Sequence, residues 1–375
     1  MVAQRLSIEG KVRPFPGAVA SLDHFRYREA EEVEARMVVE QPTISLYCLD
    51  HANRRAIFVE TPPDVNLTHA PFYNIAQYDA ALGLIAVSYD TVHRLAEDVA
   101  LEPQRIILIY NVGRCGSTLV HNALNQIDGV CSIAEPDVFT QLIALRGMGG
   151  SNDAEVSDLA RDCAKVMYGG ARSGGAVVWS VKFRGVGIEL GDLLYHHFPE
   201  AKVVFLYRNA VGWAKSAGRA FGIYDSRFQK ALPRTQQFFA LFNPLVRAYS
   251  TTHTTPMPPV ELLGSLWAAV MDRCLQLQGQ GVPMFCMRYE DLQTAPRQVL
   301  NAMFAFCNLT VNDPAKIDRI VVQDSQAGTR LSQATLQEAT SAMPADDVVA
   351  LPGLIQHYSA GLTPTLIVPH TFRLA

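Results

Sequence analysis

The sequence predicts an α/β fold: a three-layer sandwich with a central, mainly parallel sheet between helices, preceded by a small N-terminal α+β segment. From Arg105 onward, apolar runs of strand length alternate with segments whose apolar residues recur every three or four positions. This alternation is typical of parallel βαβ units. Polar motifs follow the ends of several of these strands, where open parallel sheets bind their ligands. The chain has 375 residues, of which 49% are hydrophobic and 18% charged, which is enough apolar content for a sizeable core.

The first hundred residues contain no chemical motif. Strands are predicted at 43–49 and 56–60, and residues 77–99 are predicted to form one helix because their apolar positions recur with helical spacing. We therefore expect residues 1–100 to form an α+β segment and residues 101–375 to form the main α/β domain. A cap, a wall of the substrate site and an oligomer contact all remain open as the role of the first segment.

In the main domain, strands and helices are predicted in alternation. The predicted strands cover residues 105–110, 176–183, 201–207 and 282–289. The predicted helices cover residues 117–127, 152–167, 188–198, 209–220, 262–277 and 297–306. Sheets of this kind gather their loops at the carboxyl ends of the strands, so the polar residues there are the first candidates for function.

Composition excludes several classes of function. The net charge of −4 and the pI of about 6.2 provide no basic field for nucleic acid. Seven scattered cysteines without a CxxC pair favour free thiols over a zinc site or a disulfide framework. The N-terminus lacks the apolar core of a signal peptide, and the longest apolar runs fall short of the ~20 residues of a membrane span. We expect a soluble, cytoplasmic protein with no metal and no membrane span, and leave a homo-oligomer open.

The loop after the first strand of the main domain has the composition of an anion site. Backbone N–H groups converge at the start of the following helix, the glycines allow close approach, and the arginine adds a forked, charged donor set. The candidate binding residues are Gly113, Arg114, Cys115, Gly116, Ser117 and Thr118. An ordinary turn with Ser117 as helix cap is the alternative. The Gly-Lys-Ser/Thr triplet of a nucleotide triphosphatase is missing.

The stretch NVGRCGSTLVHNAL at residues 111–124 resembles the 5′-phosphosulfate loop of sulfotransferases that use 3′-phosphoadenosine 5′-phosphosulfate (PAPS). In that family a basic residue precedes a small-Gly-Ser/Thr-Thr run at the first helix. Arg114 stands where many cytosolic members carry lysine, and other branches use arginine. The resemblance implies a P-loop-like nucleotide-binding core, with PAPS as donor and 3′,5′-ADP (PAP) as product.

Two further stretches match the family. KVVFLYRNAVGWAKS at residues 202–216 resembles its 3′-phosphate site, where an arginine at a strand end and a serine eight residues later bind the phosphate. This implies that Arg208 and Ser216 hold the 3′-phosphate. MRYEDL at residues 287–292 resembles the segment whose tyrosine lies beside the adenine, which implies that role for Tyr289.

The resemblance ends in a looser match near the C-terminus. VVQDSQAGTRLS at residues 321–332 resembles a glycine-containing loop that closes over the 3′-phosphate in several family members. The candidate residues are Gln326, Gly328 and Thr329, and an exposed polar loop is an equal alternative. In all, the likeness covers about residues 104–332.

The family also implies catalytic residues, with one departure here. Cytosolic members place a histidine two residues after a lysine on the next strand, whereas WSVKFRG has Lys182 followed by Arg184. Some branches instead carry a Glu-Pro with a catalytic glutamate, which Glu135 in SIAEPDVF resembles. The implied roles are general base for Glu135, donor to the bridging or transferring oxygens for Lys182, and charge stabilisation for Arg114. A turn cap before Pro136 is the alternative for Glu135.

The function implied is transfer of a sulfuryl group from PAPS to a hydroxyl or amine of a small-molecule acceptor, without a metal. Two alternative functions remain open. An ATP-dependent phosphoryl-transfer enzyme would need Mg²⁺ and a lysine in the loop, where the sequence has Arg114. A non-catalytic nucleotide-binding or scaffold protein with the same fold would explain the missing histidine.

Overall fold

A computed structural model describes residues 1–15, 17–170, 175–338 and 342–374. The chain divides into two compact units, each assembled from separate stretches of the sequence. The first unit comprises Met1–Leu108, Leu124–Phe183 and Leu190–Ala201. The second unit comprises Ile109–Ala123, Arg184–Glu189 and Lys202–Ala375.

A five-stranded antiparallel sheet forms the N-terminal part of the first unit. Its strands are β1 (Val2–Lys11), β2 (Phe25–Glu34), β3 (Ile44–Asp50), β4 (Arg55–Glu60) and β5 (Gly83–Ser88). Their order in the sheet is β2-β1-β5-β4-β3, so β5 is the central strand. Strands β3 and β4 confirm the two strands predicted in this region, whereas β1 and β2 were not predicted.

A second five-stranded sheet follows along the chain. Its strands are β6 (Ile106–Asn111), β7 (Val130–Ala134), β8 (Val178–Lys182), β9 (Lys202–Tyr207) and β10 (Met284–Arg288). The strand order is β10-β9-β6-β8-β7. Strands β7 and β8 pair in parallel, as do β9 and β10. The predicted α/β fold with a mainly parallel sheet is therefore confirmed, and the near-continuous apolar runs of β6 and β9 are those of strands buried on both faces.

Most of the helices are short. In the second half of the chain, several helices follow one another without a strand between them. The helices before β8 are α1 (Met37–Glu40), α2 (Tyr73–Ala80), α3 (Tyr89–Asp98), α4 (Ser117–Leu124), α5 (Asp137–Leu145) and α6 (Asp153–Gly170). Those between β8 and β10 are α7 (Gly191–His197), α8 (Ala210–Phe221), α9 (Ser226–Ala240), α10 (Pro244–Thr252) and α11 (Pro259–Gly279). Those after β10 are α12 (Tyr289–Thr294), α13 (Pro296–Phe306), α14 (Pro314–Val322), α15 (Gln333–Glu338) and α16 (Ala345–Tyr358). Within the described ranges, no helix is both long and apolar enough to cross a membrane.

The single helix predicted at residues 77–99 is wrong. The segment contains the end of α2, the central strand β5 and helix α3. Residues 84–87 are all apolar and all buried, because β5 is covered on both faces and hydrogen-bonded on both sides. A short apolar run of this kind carries no two-residue period, so periodicity cannot distinguish it from part of a helix.

The two-sided burial of β5 can be tested by truncating adjacent positions. Leu84 and Ile85 point to opposite faces of the sheet, and both are 0% exposed. Leu84→Ala and Ile85→Ala are each expected to lower the free energy of unfolding by about 2–5 kcal/mol, as cavities in a packed core do. Urea unfolding followed by circular dichroism gives both values.

The matched control is Leu82→Ala, because the Leu82 side chain just before β5 is 63% exposed. Its expected effect is within about 0.5 kcal/mol. A loss confined to only one of the two buried positions would contradict burial on both faces.

Candidate functional site

The loop after β6 turns sharply and is held by its own side chains. Gly113 has φ of 74° and Gly116 has φ of 84°, while Arg114, a non-glycine residue, has φ of 48°. The side-chain Oδ1 of Asn111 accepts a hydrogen bond from the Gly113 N–H at 2.8 Å and faces the Ser117 hydroxyl at 3.4 Å. A left-handed arginine is uncommon and persists where the surroundings impose it. The internal contacts of Asn111 therefore fix the shape of the loop.

The two glycines of the loop, Gly113 and Gly116, differ in what an added side chain would meet. A Cβ on Gly116 would lie 2.8 Å from Cδ2 of Leu292, so this position is required by packing. A Cβ on Gly113 would meet nothing within 4 Å. The backbone at Gly113 therefore borders open space, which a bound group can approach closely.

Two arginines meet beside this loop in the second unit. Arg114 Nε donates to the Ser216 hydroxyl at 3.3 Å, and Arg208 Nη1 approaches the Arg114 carbonyl oxygen at 3.4 Å. Burial, and then the positive charge of Arg208, lowers the pKa of Arg114. Within the described part of the chain neither arginine forms an ion pair, and the buried Nε of Arg208 has no hydrogen-bond partner. Two cations with donors to spare are an arrangement that can hold an anion.

The ends of β9 and β10 fix the position of Arg208. Its guanidinium carbon lies 4.2 Å from the centre of the Tyr289 ring, a close cation–π contact. The Glu290 carboxylate accepts hydrogen bonds from the backbone N–H of Asn209, at 3.0 Å, and from its side-chain amide. Asn209 in turn caps α8 by accepting from the Gly212 N–H at 2.7 Å. Glu290 therefore ties together the two turns that carry Arg208 and Tyr289.

Two tryptophans hold the backbone behind the arginines. Trp213 Nε1 donates to the Val112 carbonyl at 2.7 Å, and Trp267 Nε1 donates to the Arg208 carbonyl at 3.0 Å. Both tryptophans are buried, so these bonds are shielded from water. These two hydrogen bonds fix the main chain at Val112 and at Arg208.

The loop that contains Gln326, Gly328 and Thr329 contacts the start of α4. Gln326 Nε2 donates to the Thr118 hydroxyl at 2.7 Å, and the Thr329 hydroxyl donates to the Gln326 carbonyl at 2.8 Å. Gly328 takes φ of 77°, which closes the turn between them. This contact joins the loosest of the sequence matches to the start of α4.

The first unit pairs two of the three residues predicted for catalysis, Glu135 and Lys182. Strands β7 and β8 are parallel neighbours in which Ala134 lies opposite Lys182, so Glu135 follows at the same sheet edge. Lys182 Nζ lies 2.6 Å from Glu135 Oε1, and the Glu135 N–H donates to the Lys182 carbonyl at 2.7 Å. Lys182 is 1% exposed and Glu135 20%, so the pair is largely shielded from water. Glu135 also has a left-handed backbone, with φ of 58°.

The predicted residues thus fall into two groups. The second unit brings together Arg114, Arg208, Ser216 and Tyr289, along with the remainder of the loop and the Gln326–Thr329 turn. The first unit pairs Glu135 with Lys182. No group of residues able to hold a metal ion occurs among the described residues.

Sequence reasoning missed several residues that shape the site. Asn111 was not singled out, although an asparagine two residues before a loop N–H is the signal of an Asx turn. The contacts of Gly116 with Leu292 and of Gln326 with Thr118 join residues far apart in the sequence, which carries no local signal for them.

Comparison with known proteins agrees with the motifs. Residues 192–346 match the family model described as the sulfotransferase domain. This range contains Arg208, Ser216, Tyr289 and the Gln326–Thr329 turn, whereas the Gly113 loop lies ahead of it. No curated protein sequence matches the chain.

Several solved sulfotransferase structures are similar to the chain at low identity. The sulfotransferase from Alicyclobacillus acidocaldarius is 17% identical, with a TM-score of 0.37 over 69% of this chain and 96% of that one. Sulfotransferase STF1 from Mycobacterium tuberculosis is 12% identical, with a TM-score of 0.41 over 71% and 82% of the respective chains. Mouse sulfotransferase SULT7A1, complexed with PAP, is 9% identical, with a TM-score of 0.39 over 72% and 90%.

The domain match and the motifs agree over part of the chain. The matched range 192–346 carries the Arg208 and Tyr289 motifs, whereas the Gly113 loop, on which the resemblance is stated first, lies ahead of it. Residues 192–346 are therefore similar to the sulfotransferase domain.

Proposed function

We propose that the protein transfers a sulfuryl group from PAPS to a hydroxyl or amine of a small-molecule acceptor and releases PAP. The observation that carries this proposal is the meeting of Arg114 and Arg208, neither of which forms an ion pair with a described carboxylate. A nucleotide with phosphate groups at both its 3′ and 5′ positions supplies the negative charge that two such cations need.

Donor binding is assigned to the second unit. The open backbone at Gly113, the first N–H groups of α4 and Arg114 would hold the 5′ end. Arg208 would hold the 3′-phosphate through donors that include its unpartnered Nε. Tyr289, already in contact with Arg208, would offer its aromatic surface to the adenine. The Gln326–Thr329 turn would complete the 3′ side.

Catalysis is assigned to charge stabilisation and a base. Bound PAPS supplies the sulfuryl group, which moves by in-line displacement as the acceptor oxygen or nitrogen bonds to sulfur and the bond from sulfur to the bridging oxygen breaks. Arg114 stabilises negative charge on the oxygens around sulfur. Glu135 takes the proton of the acceptor hydroxyl, and Lys182 holds Glu135 in position at 2.6 Å. The ammonium group of Lys182 has further N–H donors, which we assign to the transferring oxygens.

The nucleotide assignment can be tested by calorimetric titration of the full chain with 3′,5′-ADP, ADP and ATP, once with and once without Mg²⁺. We expect 3′,5′-ADP to bind most tightly, because it alone carries a 3′-phosphate. Arg208→Gln should weaken 3′,5′-ADP binding by roughly 10- to 100-fold, the usual worth of a hydrogen bond between charged groups. Its effect on ADP should be much smaller.

Lys215→Gln is the matched control, since Lys215 is an exposed cation on α8 next to Ser216. It should leave the three affinities unchanged. If ATP binds most tightly, or if Arg208→Gln weakens ADP as much as 3′,5′-ADP, phosphoryl transfer replaces sulfuryl transfer as the better proposal.

The base assignment is tested by Glu135→Gln. The amide keeps the shape of the side chain but cannot accept the proton, so turnover should fall by about 10²- to 10⁴-fold. Affinity for 3′,5′-ADP should not change, because the donor residues lie in the other group. Release of PAP from PAPS in the presence of a phenolic acceptor measures turnover.

Glu200→Gln controls for loss of a carboxylate, because Glu200 is exposed ahead of β9. It should retain full turnover. A Glu135→Gln variant that turns over at the normal rate would remove Glu135 as the base, and a chain with no transfer but tight 3′,5′-ADP binding would favour a non-catalytic nucleotide-binding protein.

A further inference from the structure

The chain continues beyond the range that matches the sulfotransferase domain, and its last segment returns to the turn that carries Arg208. Residues 347–375 lie outside the matched range. After α16 ends at Tyr358, residues 362–372 follow as a segment of the second unit, called here the C-terminal strap. Its apolar residues Leu362 and Val368 are buried. A segment near a chain end stays ordered only where contacts tie it down, so each contact of the strap needs a reason.

One set of contacts covers the edge of the second sheet. Strand β10 is the outer strand, Thr371 forms a parallel bridge with Cys286, and the Phe372 N–H donates to the Cys286 carbonyl at 2.8 Å. Gln278 Nε2, on α11, donates to the Pro369 carbonyl at 2.9 Å. Pairing of this kind satisfies the backbone of an edge strand and protects it from other chains. Edge protection therefore explains these contacts without any role in binding.

A second set of contacts holds the residue before Arg208. The Tyr207 side chain is buried, and its hydroxyl accepts a hydrogen bond from the Val368 N–H at 3.1 Å and lies 2.8 Å from the Thr371 hydroxyl. The Thr371 hydroxyl donates to the Val368 carbonyl at 2.6 Å, so it accepts the proton of Tyr207. Burial raises the pKa of Tyr207 to about 12, so the phenol keeps the proton that this bond needs. The polar group of Tyr207 is therefore bound entirely by the strap.

The strap also holds the residue two positions after Arg208. Ala210 is the first residue of α8, where the N–H groups have no partner inside the helix. The Ala210 N–H donates to the Pro364 carbonyl at 2.8 Å. One tether therefore acts just before Arg208 and another just after it, and together they fix the backbone from which the Arg208 side chain extends.

The direction of the Arg208 side chain depends on that backbone. Its guanidinium group lies over the Tyr289 ring, and its buried Nε has no hydrogen-bond partner among the described residues. A guanidinium group binds phosphate through paired N–H groups in a fixed plane, so a small rotation of the turn would misalign both bonds. Edge protection of β10 requires no contact with Tyr207 or Ala210, and these two tethers therefore need another explanation.

We propose that the C-terminal strap is a positioning segment of the nucleotide site, which holds Arg208 through Tyr207 and Ala210 in the direction that binds a 3′-phosphate. This inference rests on the proposed function for the identity of the ligand. It goes further by assigning part of the selectivity for a 3′-phosphate to residues outside the matched domain. The strap acts through the Arg208 turn and is assigned no contact with the nucleotide.

The test is calorimetric titration of the full-length Thr371→Val variant with 3′,5′-ADP and with ADP. Valine keeps the shape of threonine but cannot accept the hydrogen bond of Tyr207. We expect the affinity for 3′,5′-ADP to fall roughly 3- to 10-fold, the usual worth of one hydrogen bond, and the affinity for ADP to change little. The ratio of the two affinities is the readout, because a general loss of stability lowers the Tm without changing this ratio.

Thr371→Ser is the matched control, because serine retains the hydroxyl, and it should keep the ratio of the unaltered chain. Gln278→Met removes the bond to Pro369 at the sheet edge and leaves the Tyr207 contacts in place. It should lower the Tm at most and also keep the ratio. An unchanged ratio in Thr371→Val, or an equal fall in Gln278→Met, would overturn the proposal and leave edge protection as the role of the strap.

Tyr207→Phe removes the same hydrogen bond from its other end and should lower the ratio at least as much as Thr371→Val. The double variant should lose no more than Tyr207→Phe alone, because the valine then has no phenol hydroxyl left to affect. Fully additive losses would show that the two residues act separately and would overturn the coupling.

The same titrations separate this inference from the proposed function. If the unaltered chain binds ADP as tightly as 3′,5′-ADP, the proposed function fails and this inference fails with it. If the unaltered chain prefers 3′,5′-ADP and Thr371→Val keeps the full preference, this inference fails alone.

Discussion

The second unit is organised around two positive charges, Arg114 and Arg208, that form no ion pair within the part of the chain that the structure describes. Arg114 and Arg208 are brought together although burial and mutual repulsion both disfavour the charged form of Arg114. The cost is offset by neutral contacts: the tryptophan bonds to Val112 O and Arg208 O and the Asn111 turn in the loop. These contacts orient the two guanidinium groups, and under the proposed function an anion would meet them without reorganising them.

In the first unit, by contrast, the buried positive charge of Lys182 is paired with a carboxylate. Lys182 is almost fully buried, and a buried ammonium group is tolerated only when it is paired. Glu135 supplies the pairing through its carboxylate, and the turn after β7 also closes onto β8 through the Glu135 N–H. The left-handed backbone of Glu135 is the local cost of that arrangement. An ordinary turn cap would require neither the strained conformation nor the buried partner.

The sequence by itself determined β6, β8, β9 and β10, because a strand buried on both faces is a continuous apolar run, and it also determined β3 and β4. The loop residue Arg114 follows directly from the end of β6, whereas Arg208, Tyr289 and Lys182 were assigned roles through the resemblance of their motifs to a family. The sequence did not determine β5, since a short apolar run has no period, or β1, β2 and β7. Only the tertiary structure decided that Ser216 contacts Arg114 and that Lys182 pairs with Glu135. These contacts join residues up to about a hundred positions apart, and a pattern of neighbouring residues contains no information on which distant side chains the folded chain brings together.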